Sequence, residues 1–193
     1  RPDSVIGFTG IRSKRSDGTL DPVRASLSFP YLIYTWMLWH VWRLCTREVS
    51  HHELLRGIRI GRRQLPGEFP RGVAVVFDLT AEFVEPRAIR DAIACKCYPT
   101  LDARPPDAAM LMRAAREVLD AQGGVYIHCA NGHGRTGTLA GAVLLLSGTT
   151  STVESTIEYL RARRPGLSLN RTQKAALAEF AHKLAGASAG PSR

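Results

Sequence analysis

The 193 residues, 45% of them hydrophobic, suffice to bury one sizeable core and are too few for two full domains. With 26 Lys and Arg against 17 Asp and Glu, the formal charge of +9 favours anionic partners such as phosphorylated proteins, phospholipids or nucleic acid, and does not choose among them. Four cysteines, Cys45, Cys95, Cys97 and Cys129, exclude a disulfide framework in a domain of this size and make the cytoplasm the default compartment.

Residues 1–25 are polar, basic and turn-rich, with Asp17-Gly18 and Asp21-Pro22, and read as a flexible basic arm. Residues 26–50 form an aromatic helical segment, FPYLIYTWMLWHVWRLC at its centre, in which Trp36, Trp39 and Trp42 recur at i, i+3 and i+6 near one helix face. The apolar run at 27–45 lies well inside the chain and does not read as a cleavable signal. His40, Arg43 and its shortness argue against a spanning helix. Two readings stay open: a helix packed on the domain, and an interfacial helix making peripheral membrane contact through residues 30–45.

From residue 57 short apolar runs bounded by turn residues alternate with helical patterns. GIRIG, VAVVFDL at 73–79, AIACKCYP at 93–99 and VYIHC at 125–129 read as strands. Leu111, Ala115, Val118 and Leu119 predict an amphipathic helix over 107–121, closed by Gly123-Gly124. TGTLAGAVLLL predicts a buried helix stopped at Ser147-Gly148. Ser151 and Glu154 predict a capping box for a helix presenting Val153, Ile157 and Leu160. A last helix from about Arg171 to Leu184 buries Leu177, Phe180, Ala181 and Leu184, with a disordered tail at 185–193. The fold class is therefore α/β: a central, mostly parallel sheet flanked by helices over 51–184, preceded by the Trp-rich segment.

Ligands in such sheets bind beyond the carboxyl ends of strands, and VYIH delivers Cys129 to that edge. The loop Ala130, Asn131, Gly132, His133, Gly134 and Arg135 can curl tightly, so that its backbone N–H groups converge on an anion to which the following helix adds its positive end. The same N–H groups stabilise a thiolate on Cys129. Arg135 offers a planar fork to two oxygens of a phosphoryl group. Thr136 can donate to the sulfur, and His128 orders the loop. His133 reads either as a solvated loop histidine or as a contact to the substrate.

A poor leaving group needs a proton, and YPTLDARPPD offers Asp102 and Asp107. Asp107, after Pro105-Pro106 and at a helix start, is better read as an N-cap, which leaves Asp102 as the acid. Cys95 and Cys97 lack a second Cys/His pair at zinc-ligand spacing, so no metal site is expected. The residues alone leave open whether Cys95 or Cys97 could form a redox disulfide with Cys129.

His128, Cys129, Arg135 and Thr136 match H-C-x-x-x-x-x-R followed by Ser or Thr, which resembles the signature of the cysteine-dependent protein tyrosine phosphatase superfamily. The chain is most similar to its small, atypical dual-specificity branch, over residues 55–184. The resemblance implies a dual-specificity phosphatase-like fold and a cofactor-free, metal-independent two-step hydrolysis through a phosphocysteine. Cys129 would be the nucleophile, Arg135 and the amides of residues 130–135 the phosphate binders, and Asp102 acid and then base. Gln173 would lie near the catalytic water, its alternative being an exposed helical glutamine. Phosphorylated tyrosine, serine and threonine in proteins are the substrates implied, with a phospholipid or inositol phosphate at a membrane as the alternative. A retired, phospho-binding module is the minor one. No nucleic acid partner is expected, and the location implied is cytoplasmic, with peripheral membrane attachment open.

Overall fold

The computed structural model describes residues 14, 19 and 21–188. Its elements are α1 (Pro22–Leu27), α2 (Phe29–Cys45), β1 (His51–Leu55), β2 (Ile58–Arg62), a 3-10 turn at Pro66–Glu68, β3 (Val73–Thr80), α3 (Arg87–Ala92), β4 (Ala94–Thr100), α4 (Ala108–Asp120), β5 (Gly124–Cys129), α5 (Gly134–Leu146), α6 (Val153–Arg163) and α7 (Arg171–Ser188). The sheet order is β1-β2-β5-β3-β4. Four strands run parallel, and β1 joins β2 antiparallel at the edge.

Alternation along the strands divides the molecule into two unequal layers. Val125, Ile127 and Cys129 of β5, with Phe77 and Leu79 of β3, face a large core shared with Leu111, Leu139, Leu144, Leu160, Leu177 and Phe180 of α4–α7. α5 is buried along almost its whole length, as its small and apolar sequence predicts. The opposite face carries the small cluster Val76, Ile89 and Tyr126, and there Asp78, Thr80 and His128 are fully buried.

Several elements differ in detail from expectation. β1, HHELL, lacks a period-2 apolar pattern; it is recruited by the two-residue turn Arg56-Gly57, where Gly57 adopts φ +81°. α3 was too short to show a periodicity. α6 starts one residue later than the Ser151/Glu154 box required: Thr152 accepts from the Ser155 amide at 3.1 Å, and the Ser155 hydroxyl accepts from the Thr152 amide at 3.2 Å. Glu154 instead sits in the first turn, where its charge suits the helix dipole. On α4 the buried stripe is Leu111, Ala114, Ala115 and Val118, while Leu119 points outward.

Most of the basic arm, 1–25, and the tail from 189 on lie outside the described residues. Lys14 is described, and its ammonium is buried in an ion pair with Asp78. α7 runs on to Ser188. α2 forms over the aromatic segment, but its three tryptophans fan out: Trp39 is buried, and Trp36 is 53% exposed. Steps of three residues rotate by about −60° each, so the outer pair sits on opposite flanks of Trp39.

Asp107 caps α4, its carboxylate accepting from the Met110 amide at 2.8 Å. Asp107→Ala should lower stability by about 1 kcal/mol in urea denaturation, and an unchanged midpoint would show that the cap contributes nothing.

Candidate active site

The loop leaving β5 is shaped by what happens to its carbonyl oxygens. Cys129 O accepts from the Arg63 amide at 2.9 Å, and Ala130 O accepts from the same amide at 3.1 Å and from Trp39 Nε1 at 2.9 Å. Asn131 O and Gly132 O accept from Arg164, through Nη2 at 3.3 Å and Nε at 3.0 Å. Four successive carbonyls are thus drawn outward. In a trans peptide the N–H lies opposite the C=O, so the amides of residues 130–133 turn the other way, toward the concave side of the loop. None of the amides of residues 131–135 donates to a backbone carbonyl among the described residues.

Gly132 makes the curl possible, with φ +75° and no room for a side chain: a β carbon would stand 2.3 Å from the carbonyl carbon of Gly61. Arg164, fully buried, also donates to Val49 O at 3.0 Å and pairs with Glu48 at 2.9 Å. It is the last arginine of the RARR run.

Arg135, in the first turn of α5, is 2% exposed. Its Nη1 and Nη2 bind the two oxygens of Glu82 at 2.8 and 2.7 Å, and Nη1 also donates to Thr100 O at 2.9 Å. Burial opposes its charge, but Glu82, Cys129 and Asp102 together outweigh that and raise its pKa. Arg135 Nε is buried and has no acceptor among the described residues. Asp102, on the loop between β4 and α4, approaches Nη2 at 3.2 Å with a side chain 76% exposed. The next residue, Ala103, is left-handed at φ +58°, and its carbonyl is held by Asn170 Nδ2 at 2.7 Å.

Thr136 is fully buried, and its hydroxyl makes no hydrogen bond among the described residues. His128 lies beneath the loop with Nδ1 3.3 Å from Cys129 O and Nε2 3.5 Å from Glu85, whose carboxyl burial pushes up. His133 is held by Glu48 through Nε2 at 3.1 Å, with its ring edge-on to Trp42. Burial lowers its pKa against the pull of Glu48. Gln173 is 2% exposed rather than displayed on α7: it receives the Asn170 amide at 3.0 Å and lies against Gly134, where a β carbon would meet its Nε2 at 2.6 Å. The structure therefore gathers Cys129, Arg135, Thr136, Asp102, His128 and Gln173 about one loop.

Cys97 and His128 face the same residue of β3, Asp78, from opposite sides, so β4 and β5 lie about 10 Å apart there, beyond the reach of a disulfide without backbone movement. Burial pushes the Cys95 thiol up to about 11.

Residues without an individual sequence signal complete the site: Glu82, Arg164, Glu48 and Trp39. α2 adds a wall. A cleft of about 310 Å³ lies between it and the loop, bounded by Tyr31, Thr35, Trp39, Trp42, Asp102 and Asn131. The Tyr31 phenol is raised by burial and by the carboxylates of Glu82 and Asp102. Because Arg164 satisfies two loop carbonyls and Glu48 from a buried position, Arg164→Met should cost about 3–5 kcal/mol in urea denaturation. A cost below about 1 kcal/mol would show that the loop holds its shape without it.

A model of the dual specificity phosphatase catalytic domain matches residues 100–183. Among solved structures, PTPMT1 in complex with PI(5)P is 21% identical, with a TM-score of 0.64 over 73% of this chain and 100% of that one. The human tyrosine phosphatase-like serine/threonine/tyrosine-interacting protein is 15% identical, with a TM-score of 0.63 over 70% of this chain and 98% of that one. A mouse putative dual specificity phosphatase complexed with zinc tungstate is 18% identical, with a TM-score of 0.60 over 75% of this chain and 96% of that one. None of the curated protein sequences compared matches the chain. The matched segment, residues 100–183, includes the loop built on Cys129 and Arg135, and the chain shares the fold of these phosphatase and phosphatase-like structures.

Proposed function

We propose that the protein hydrolyses phosphomonoesters through a phosphocysteine on Cys129. The observation that carries this reading is the run of outward-held carbonyls from Cys129 to Gly132, which turns the following amides into a concave set of donors beside a cysteine and ends at Arg135. Such a set is complementary to the equatorial oxygens of a transferring phosphoryl group. Glu82 takes one N–H from each of Nη1 and Nη2 of Arg135, so that Nε and the second N–H of Nη2, the side that Asp102 approaches, form the fork toward that group.

In the first step Cys129 Sγ attacks phosphorus, the ester P–O bond breaks, and Asp102 protonates the departing oxygen. In the second, water attacks the phosphocysteine, Asp102 takes its proton, and Cys129 leaves as a thiolate with Thr136 as hydrogen-bond donor. His128 orders the loop from beneath, and Gln173, packed on Gly134, orients the attacking water. The asparagine-to-alanine tie at the Asp102 loop favours Asp102 as the acid, because it tethers that exposed residue to the α7 side of the site. The family match makes phosphorylated tyrosine, serine and threonine in proteins the first substrates to test. One observation favours a phospholipid headgroup as a second: the aromatic helix α2 forms a wall of the cleft. The retired-module reading is disfavoured by Cys129, Arg135 and Asp102 all being in place.

Turnover of an aryl phosphate should vanish in Cys129→Ser and persist in the presence of chelators; full turnover in that variant would exclude the mechanism. Asp102→Asn should slow hydrolysis of phosphoserine peptides by about 10²-fold or more and of a nitrophenyl phosphate much less, since only the former needs the proton. Equal losses on both would remove Asp102 from the acid's role.

A further inference from the structure

Of the large apolar side chains exposed among the described residues, all but Val49 and Leu119 lie between Val23 and Leu44. α2 buries only the stripe that carries Trp39. On the opposite side Tyr34, Met37, Val41 and Leu44 form a continuous stripe, each about half exposed or more, and α1 adds Val23 and Leu27. A second, largely apolar cleft of about 510 Å³, lined by Phe29, Ile33, Trp36 and Phe83, opens on one flank. An exposed apolar surface this continuous marks an interaction site.

We propose that α1 and α2 dock on an anionic lipid bilayer and set the mouth of the active site at headgroup depth. Charge selects this occupant: from Pro22 to Arg47 the chain has no Asp or Glu, Arg47 at the end of that stretch is exposed, as is Arg104 two residues after the cleft residue Asp102, and the whole chain carries +9. Tyr31, Tyr34, Trp36 and Trp42 are the amphipathic side chains that suit an interface, and no described helix is long and apolar enough to cross a membrane. α2 therefore lies in the interface, with the domain body as its polar side. The cleft flank of α2, Tyr31 and Thr35, is about a third of a turn from the outward stripe. A phosphomonoester displayed on the surface would thus meet the loop from the side, and the inference rests on the phosphatase reading only for that last consequence.

All three tryptophans lie on α2, so their emission reports this helix alone. The full chain should bind vesicles of equimolar phosphatidylcholine and phosphatidylglycerol, bind phosphatidylcholine vesicles less, and lose tryptophan fluorescence to brominated acyl chains. A Met37→Glu, Val41→Glu double variant should partition about tenfold or more weakly. It should also lose any rate advantage on a vesicle-displayed phosphomonoester over a soluble one, with turnover of a soluble aryl phosphate unchanged. Absence of vesicle binding, emission untouched by brominated lipid, or a dimer that the double variant abolishes would overturn the proposal, the last by assigning the stripe to a second copy. Vesicle binding without any aryl phosphate turnover would sustain the docking surface and reject the phosphatase reading.

Discussion

The orientation of four peptide planes decides what the site can do. A loop that offers its N–H groups to an anion must dispose of its carbonyls elsewhere, and an outward carbonyl without a donor would cost on the order of 1–3 kcal/mol. Here the donors come from three distant places: the Arg63 amide beyond β2, the Trp39 indole on α2 and the Arg164 guanidinium at the end of α6. Glycine supplies only permission to curl. The direction of the curl is imposed by these donors, and Arg164 alone accounts for two of the carbonyls.

A second constraint concerns charge. Arg135 is almost fully buried, so its guanidinium is stable there only with a carboxylate close by, and Glu82 meets it in bidentate fashion. Such a pair gives little net stability compared with an apolar one, but it fixes the plane of the fork. His133 is fixed in a related way. Glu48 binds it on one side and Arg164 on the other, so the histidine that looked solvated or substrate-facing is built into the same scaffold that orients the carbonyls.

What was legible in the sequence is what short-range chemistry writes. Cys129, Arg135 and Thr136 stand within eight residues on a strand–loop–helix unit, and the apolar runs of β2–β5 and the periodicities of α4–α7 reflect burial of one face. Glu82 lies 53 residues from Arg135, on a loop whose sequence, TAEFVEP, offers two glutamates and nothing to separate them. Arg164 is one of three arginines in RARR, and only the turn after α6 decides which points inward. Gln173 was visible as a candidate, but its burial against Gly134 depends on the crossing of α7 over α5. β1 was illegible because its pattern is polar and its pairing is set by the turn.

The aromatic helix joins these constraints to the outside. Because α-helical side chains advance by about 100°, one 17-residue element presents three surfaces: Trp39 inward to the loop, Tyr31 and Thr35 to the cleft, and Met37 and Val41 to the exterior. Trp39 donates to Ala130 O and lies within 5.4 Å of the Arg63 guanidinium, whose backbone amide holds the adjoining carbonyls. A helix attached only through its outer apolar stripe could slide or detach without consequence for the chemistry. This one cannot, since withdrawing Trp39 would leave Ala130 O with a single donor and remove a wall of the cleft. The segment that the sequence left open between a helix packed on the domain and an interfacial one is thus a structural part of the site's rim.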